Sequence, residues 1–169
     1  MKLIIIGAGG YGQTVADIVS QSAEYEDIVF LDDKSEHEKC IGKCSEYEKY
    51  INDNTCFYPA FGNNTLRLEW INVLRAANAK LLTFIHETAY VSPKASIGEG
   101  TIIMPKAVVN TSVSVENGCI INCGAIVDHN CVIGDGCHIC LGVILKADNR
   151  IPTETKIEAG VVVENRTYC

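Results

Sequence analysis

Hydrophobic residues recur along this chain in two different rhythms. In the first half, the apolar run 3–6 (LIII) breaks into glycines, as a buried parallel strand does when it feeds a turn. Val15, Ile18 and Val19 then repeat at helical spacing within 13–20. IVFLDD at 28–33 predicts a second strand that ends in two acids. Ser45 followed by Glu48 has capping-box spacing and predicts a short helix through Ile51. CFYPAFGNN at 56–64 predicts a third strand running into a loop. Leu66, Trp70, Val73, Leu74 and Ala77 mark the apolar face of a helix over 65–79. Strand–helix alternation of this kind predicts a small parallel α/β domain, Rossmann-like, over residues 1–84.

The second half keeps a different time. Ile85, Val91, Ile97, Ile103, Val109, Val115, Ile121, Val127, Ile133, Ile139, Leu145, Ile151, Ile157 and Val163 fall six apart without a miss. The residue four after each is mostly small, as at Ala89, Ala95, Thr101, Ala107, Cys119, Ala125, Cys131 and Cys137. Neither a helix nor an alternating strand has period six, whereas a hexapeptide β-helix does. Each hexapeptide makes one side of a triangular prism and three complete a coil, with large aliphatics on the axis and small residues near the corners. Residues 85–169 are therefore expected to form an all-β, left-handed parallel β-helix.

Composition narrows the function. The chain has 169 residues, 47% of them hydrophobic, with a net charge of −7. That is apolar enough for buried cores, and too acidic for nucleic acid or an anionic membrane as partner. MKLIIIG is apolar for too few residues to be a secretory leader, and no later stretch is long enough for membrane insertion. A cytoplasmic location is expected, with the nine cysteines as thiols.

Residues 119–140, CIINCGAIVDHNCVIGDGCHIC, hold five of those cysteines and two histidines. Cys119, Cys131 and Cys137 occupy the small position of their hexapeptides, where a thiol serves as a small hydrophobe. Cys123 and Cys140 take other phases, and no zinc-type pairing of C-x2-C motifs exists, so no metal site is expected. His129 and His138 should both point outward. Nine residues apart, they lie on opposite sides of one coil and can share a ligand only between neighbouring subunits of a ring, most simply a homotrimer. Two solvated surface histidines would satisfy the same spacing.

Gly7, Gly9 and Gly12 form G-x-G-x-x-G between a strand and a helix, and Asp32 lies twenty residues after Gly12. This is a dinucleotide fingerprint, although a domain of this size lacks the second mononucleotide half. NAD and a nucleotide sugar are both compatible ligands, the latter favoured by domain size.

Over nearly its whole length the chain resembles the sugar O/N-acyltransferases of the sialic-acid O-acetyltransferase and bacillosamine-pathway N-acetyltransferase group. KLIIIGAGGYGQTVAD, FLDD, FGNN with Arg67, FIHETAYVSPKASIGEGT and IINCGAIVDHNCVIGDGCHIC carry the likeness, in family order and spacing. The resemblance implies an acetyl-CoA-dependent acetyltransferase acting on a nucleotide-linked amino sugar, by N-acetylation, or on a sialic-acid-like sugar, by O-acetylation. It implies that His129 is the general base of a direct transfer, with Asn130 orienting its ring. His138, Gly142 and Ala159 would bind acetyl-CoA. Gly9, Gly10, Tyr11, Asp32, Asp33, Gly62 and Asn63 would bind the sugar nucleotide. Asn122 shapes the pocket or serves as a turn residue. The chain departs from the family at Tyr11, commonly histidine, at Asn130, commonly acidic, and in its short, glycine-poor C-terminal coils. Those departures keep open a catalytically impaired sugar-nucleotide-binding or scaffold protein of the same fold. A β-helix metalloenzyme using His86, His129 and His138 is disfavoured by their spacing.

Overall fold

The computed structural model describes residues 1–169, which divide into two compact units, Met1–Leu82 and Thr83–Cys169. The first comprises β1 (Lys2–Ile6), α1 (Gly10–Ser20), β2 (Asp27–Leu31), β3 (Thr55–Pro59), α2 (Asn64–Ala76) and β4 (Lys80–Leu81). All four strands are parallel, in the order β2-β1-β3-β4. β1 has a strand on each side, and Leu3 to Ile6 are fully buried, which explains an apolar run without alternation.

Two local expectations are corrected. The helix over 65–79 does not bury the Leu66, Val73 face: these two are 38% and 41% exposed, and the buried positions are Arg67, Ile71 and Leu74. The helix is turned by one residue because Arg67 is drawn inward. Its Nη1 donates to the Phe61 carbonyl (2.8 Å) and its Nη2 to Asn64 Oδ1 (2.9 Å), which ties the helix to the loop before it. The short helix is a 3₁₀ segment, Cys44–Tyr50, capped at Lys43 rather than Ser45; the Lys43 N–H donates to Glu46 Oε2 (2.8 Å).

In the second unit, two-residue strands repeat on three parallel ladders, two of five strands and one of four. Each rung pairs residues eighteen apart, such as Ile121 with Ile139 and Val127 with Leu145, so one coil is three hexapeptides. The period-six residues from Ile103 to Val163 fill the axis. In the first coil, which ends the stack, Ile85 is 44% exposed, and Val91 and Ile97 are only partly buried.

The small position does more than fit a corner. Thr101 Oγ1 donates to the carbonyl fifteen residues on, at Glu116 (2.7 Å). Cys119, Cys131 and Cys137 repeat this geometry through Sγ, to Gly134 (3.1 Å), Lys146 (3.2 Å) and Pro152 (3.0 Å). Asn149, fully buried in the same phase, donates to Glu164 O (2.9 Å). These side chains are small enough for the corner and carry a hydrogen for a turn carbonyl that the strand ladders leave over. The cysteines expected to act as small hydrophobes are therefore also weak donors.

Candidate functional site

From Gly100 onward the coils turn their corners with a residue in the left-handed region. Glycine supplies it at Gly100, Gly118, Gly124, Gly136, Gly142 and Gly160, but one corner is polar throughout: Ser112, Asn130, Asp148 and Arg166 have φ between 57° and 60°. Asn and Asp tolerate that conformation better than other side chains with a Cβ. His129 stands beside this column, just after the strand Ile126–Val127, and is exposed. Its own N–H donates to Asp128 Oδ1 (2.8 Å), which also accepts from Asn110 Nδ2 (3.1 Å). Asp128 thus shapes the turn that presents His129.

Asn130 Nδ2 donates to Asp148 Oδ1 (3.1 Å), and Arg166 Nη2 donates to Asp148 Oδ2 (3.2 Å). The Asp148 carboxyl is lowered from its usual range, chiefly by the Asn130 hydrogen bond, with Arg166 and the charge of His129 adding to it.

His138 lies on a different ladder from the Ile126–Val127 strand, so a single chain does not bring it together with His129. It opens the strand His138–Ile139 and is partly buried. The Oδ1 of Asn122 accepts from the Cys123 N–H (2.8 Å), which aims its Nδ2 at His138 Nε2 (3.0 Å). Nε2 is then the acceptor, and neutral His138 carries its proton on Nδ1. Gly142 is at the corner that follows, exposed, with φ +63° and open space where a Cβ would be. Ala159, one coil beyond Leu141, is also exposed. His86 is buried in the first coil, where its Nδ1 accepts the Thr88 N–H (3.1 Å) within its own turn.

In the first unit, Gly9 is the N-cap of α1 and caps it with no side chain; Gly10 and Tyr11 begin its first turn. The N–H groups there are the positive end of the helix. Asp32 is largely engaged locally: Oδ2 accepts from Ala8 N–H (2.8 Å), and Oδ1 from Lys34 and Ser35 N–H (2.8 Å each). Burial pushes its carboxyl upward, but the three donors outweigh this and hold it below the usual range. Asp33 Oδ1 accepts from Cys44 N–H (3.0 Å). Gly62 is exposed, and Asn63 caps α2 through Oδ1, which accepts from Leu66 N–H (2.8 Å). Tyr11 shares a hydroxyl hydrogen bond (2.7 Å) with the fully buried Tyr58 of β3, a partner that sequence reading missed. A separate groove of about 470 Å³, lined by Asp17, Tyr25, Phe30, His37, Glu38 and Lys39, contains none of the residues expected to bind substrate or acetyl-CoA.

Residues 2–74 match the PglD N-terminal domain family. A UDP-N-acetylbacillosamine N-acetyltransferase of Bacillus subtilis is 32% identical over 111 residues, 61% of this chain and 51% of the relative, so the chain spans about half that relative's length. The acetyltransferase domain of PglB from Neisseria gonorrhoeae, in complex with acetyl coenzyme A, superimposes with a TM-score of 0.91 at 34% identity. That match covers 98% of this chain and 82% of the other. A histidine-to-asparagine variant of perosamine N-acetyltransferase from Caulobacter crescentus, in complex with CoA and GDP-perosamine, matches with a TM-score of 0.78 at 26% identity, covering 98% and 89% of the two chains.

Proposed function

This chain belongs to the sugar N-acyltransferase family of hexapeptide-repeat β-helix acetyltransferases, and from that premise we propose that it transfers acetyl from acetyl-CoA to a nucleotide-linked amino sugar or a sialic-acid-like sugar. The observation that carries this reading is the likeness, over 98% of the chain, to an acetyltransferase domain solved with acetyl-CoA bound. In this reading His129 takes the proton from the acceptor nitrogen or oxygen as that atom bonds to the thioester carbonyl carbon. The C–S bond then breaks, and the departing CoA sulfur takes the proton back from the imidazolium. His138, held at Nε2 by the Asn122 amide, stands near the thioester in this reading. Gly142 and Ala159 leave room beside the chain for CoA. The α1 N-terminus with Gly9, Gly10 and Tyr11, together with Asp32, Asp33, Gly62 and Asn63, holds the sugar nucleotide. Burial raises the thiols of Cys123 and Cys140, which argues against a thiolate nucleophile and for direct transfer.

The test is release of free CoA thiol from acetyl-CoA in the presence of UDP-, GDP-, CMP- and dTDP-linked sugars bearing an amine or a free hydroxyl. One of them should support turnover. Stabilisation by NAD, with no turnover on any sugar nucleotide, would sink the proposal.

The assembly is part of the same reading. The outward residues of one ladder are all apolar: Tyr90, Val108, Ile126, Ile144 and Val162. Tyr90, Ile126, Ile144 and Val162 are 36–55% exposed, and such a stripe is the ordinary mark of an interface. His129 follows directly on this ladder, so a second copy seated on the stripe would lie beside it and could supply its own His138. We expect a homotrimer by sedimentation. Ile126→Glu combined with Ile144→Glu should give monomers with acetyl transfer reduced by more than about tenfold; active monomers would refute the shared site.

A further inference from the structure

The chain's own polar corner suggests how its base is supported. Asn130, Asp148 and Arg166 occupy the same left-handed corner in three successive coils. Asp148 is the middle member, and both of its oxygens are held: Oδ1 by the Asn130 amide below, Oδ2 by the Arg166 guanidinium above. Its backbone N–H donates to the carbonyl of His129 (3.2 Å), so the aspartate is tied to the residue that carries the imidazole. We propose that Asp148 is a positioning residue for His129: a fixed carboxylate, one coil above, that stabilises the imidazolium formed when the acceptor loses its proton.

The inference rests on His129 being the base and adds the group that supports it. Several charges surround His129. Asp128 precedes it, and the Lys146–Glu164 pair (2.6 Å) stands one and two coils above Asp128. Asp148 and Arg166 stand above Asn130, and Lys94 lies two coils below it in the same column. Lys146 and Glu164 offset one another. Asp128 faces its own turn, accepting from the His129 N–H and from Asn110. Asp148 is the clamped carboxylate whose backbone is bonded to the His129 carbonyl, and the charge of His129 is among the causes that hold its carboxyl low, so it is ionised near neutral pH.

A fixed negative charge favours imidazolium, so removing it moves the acid limb of the rate profile to lower pH. Asp148→Asn is expected to lower kcat about threefold to tenfold at pH 7 and to move the acid limb of kcat/KM to lower pH, with KM for acetyl-CoA unchanged. Arg166→Met, at a side chain 74% exposed, should shift the limb the other way, because it removes the cation that competes for the carboxylate. Opposite shifts support the proposal. A limb that moves in neither variant overturns it, since a merely structural corner would change thermal stability alone. If Asp148→Asn does not fold, the Arg166→Met profile decides. Should His129→Gln keep its activity, the assignment of the base itself fails; a dead His129→Gln with unmoved limbs sinks only the role of Asp148.

Discussion

Acetyl transfer by a His129→Gln variant is expected to fall by about 10² to 10⁴ in kcat, the range that a positioned general base contributes. Glutamine keeps the bulk and polarity of the side chain but cannot accept a proton near neutral pH. His129 is exposed at a corner, and the hydrogen bonds of its turn are made by its backbone and by Asp128, not by its ring. The variant should therefore keep its fold, its assembly and its affinity for both substrates. Steady-state kinetics, with binding of acetyl-CoA and sugar nucleotide measured separately, check the prediction. A loss that appears only in KM would make His129 a binding residue instead.

The second large effect is on stability. A Cβ on Gly12 would sit 2.0 Å from the Gly7 carbonyl oxygen and 3.1 Å from its carbonyl carbon, both backbone atoms. Gly7 cannot yield easily, because it holds φ +102° and its own Cβ position already lies 3.3 Å from Ala60 O and from the Phe61 ring. Gly12→Ala must therefore part α1 from the end of β1, at a cost of about 3 kcal/mol or more. Trp70 is the sole tryptophan and packs in the first unit against Tyr47 (5.6 Å between ring centroids) and Phe61 (6.4 Å). Its fluorescence therefore reports that unit. The fluorescence Tm should fall by at least roughly 12 °C. An unchanged Tm would mean that the glycine serves ligand approach and not helix–strand packing.

The second and third glycines of G-x-G-x-x-G do different work. Gly9 has nothing within 4 Å of its missing Cβ, whereas Gly12 has no room at all. The fingerprint is thus half packing and half access, a division its spacing alone does not reveal. Asp32 likewise spends three acceptor positions on Ala8, Lys34 and Ser35, so it organises the loop before it can meet any ligand hydroxyl.

The prism was legible in the amino-acid order alone, because filling a triangular axis demands a large aliphatic at every sixth residue and no other architecture makes that demand. The buried strand 3–6, the glycine loop and the nearness of the small cysteines to the corners were equally open to reading, since each depends on residues close together in the chain. Three things were not. The buried face of α2 depended on Arg67 finding the Phe61 carbonyl and Asn64, which a count of apolar residues cannot foresee. The thiols of Cys119, Cys131 and Cys137 became donors only once a carbonyl from the next coil lay fifteen residues away along the chain. Asp148 came to stand over Asn130 through the eighteen-residue rise of the coil, but a side chain at that corner could equally have turned to water. The clamp between Asn130 and Arg166 was decided by tertiary structure, because a hydrogen bond between coils exists only when both coils are stacked.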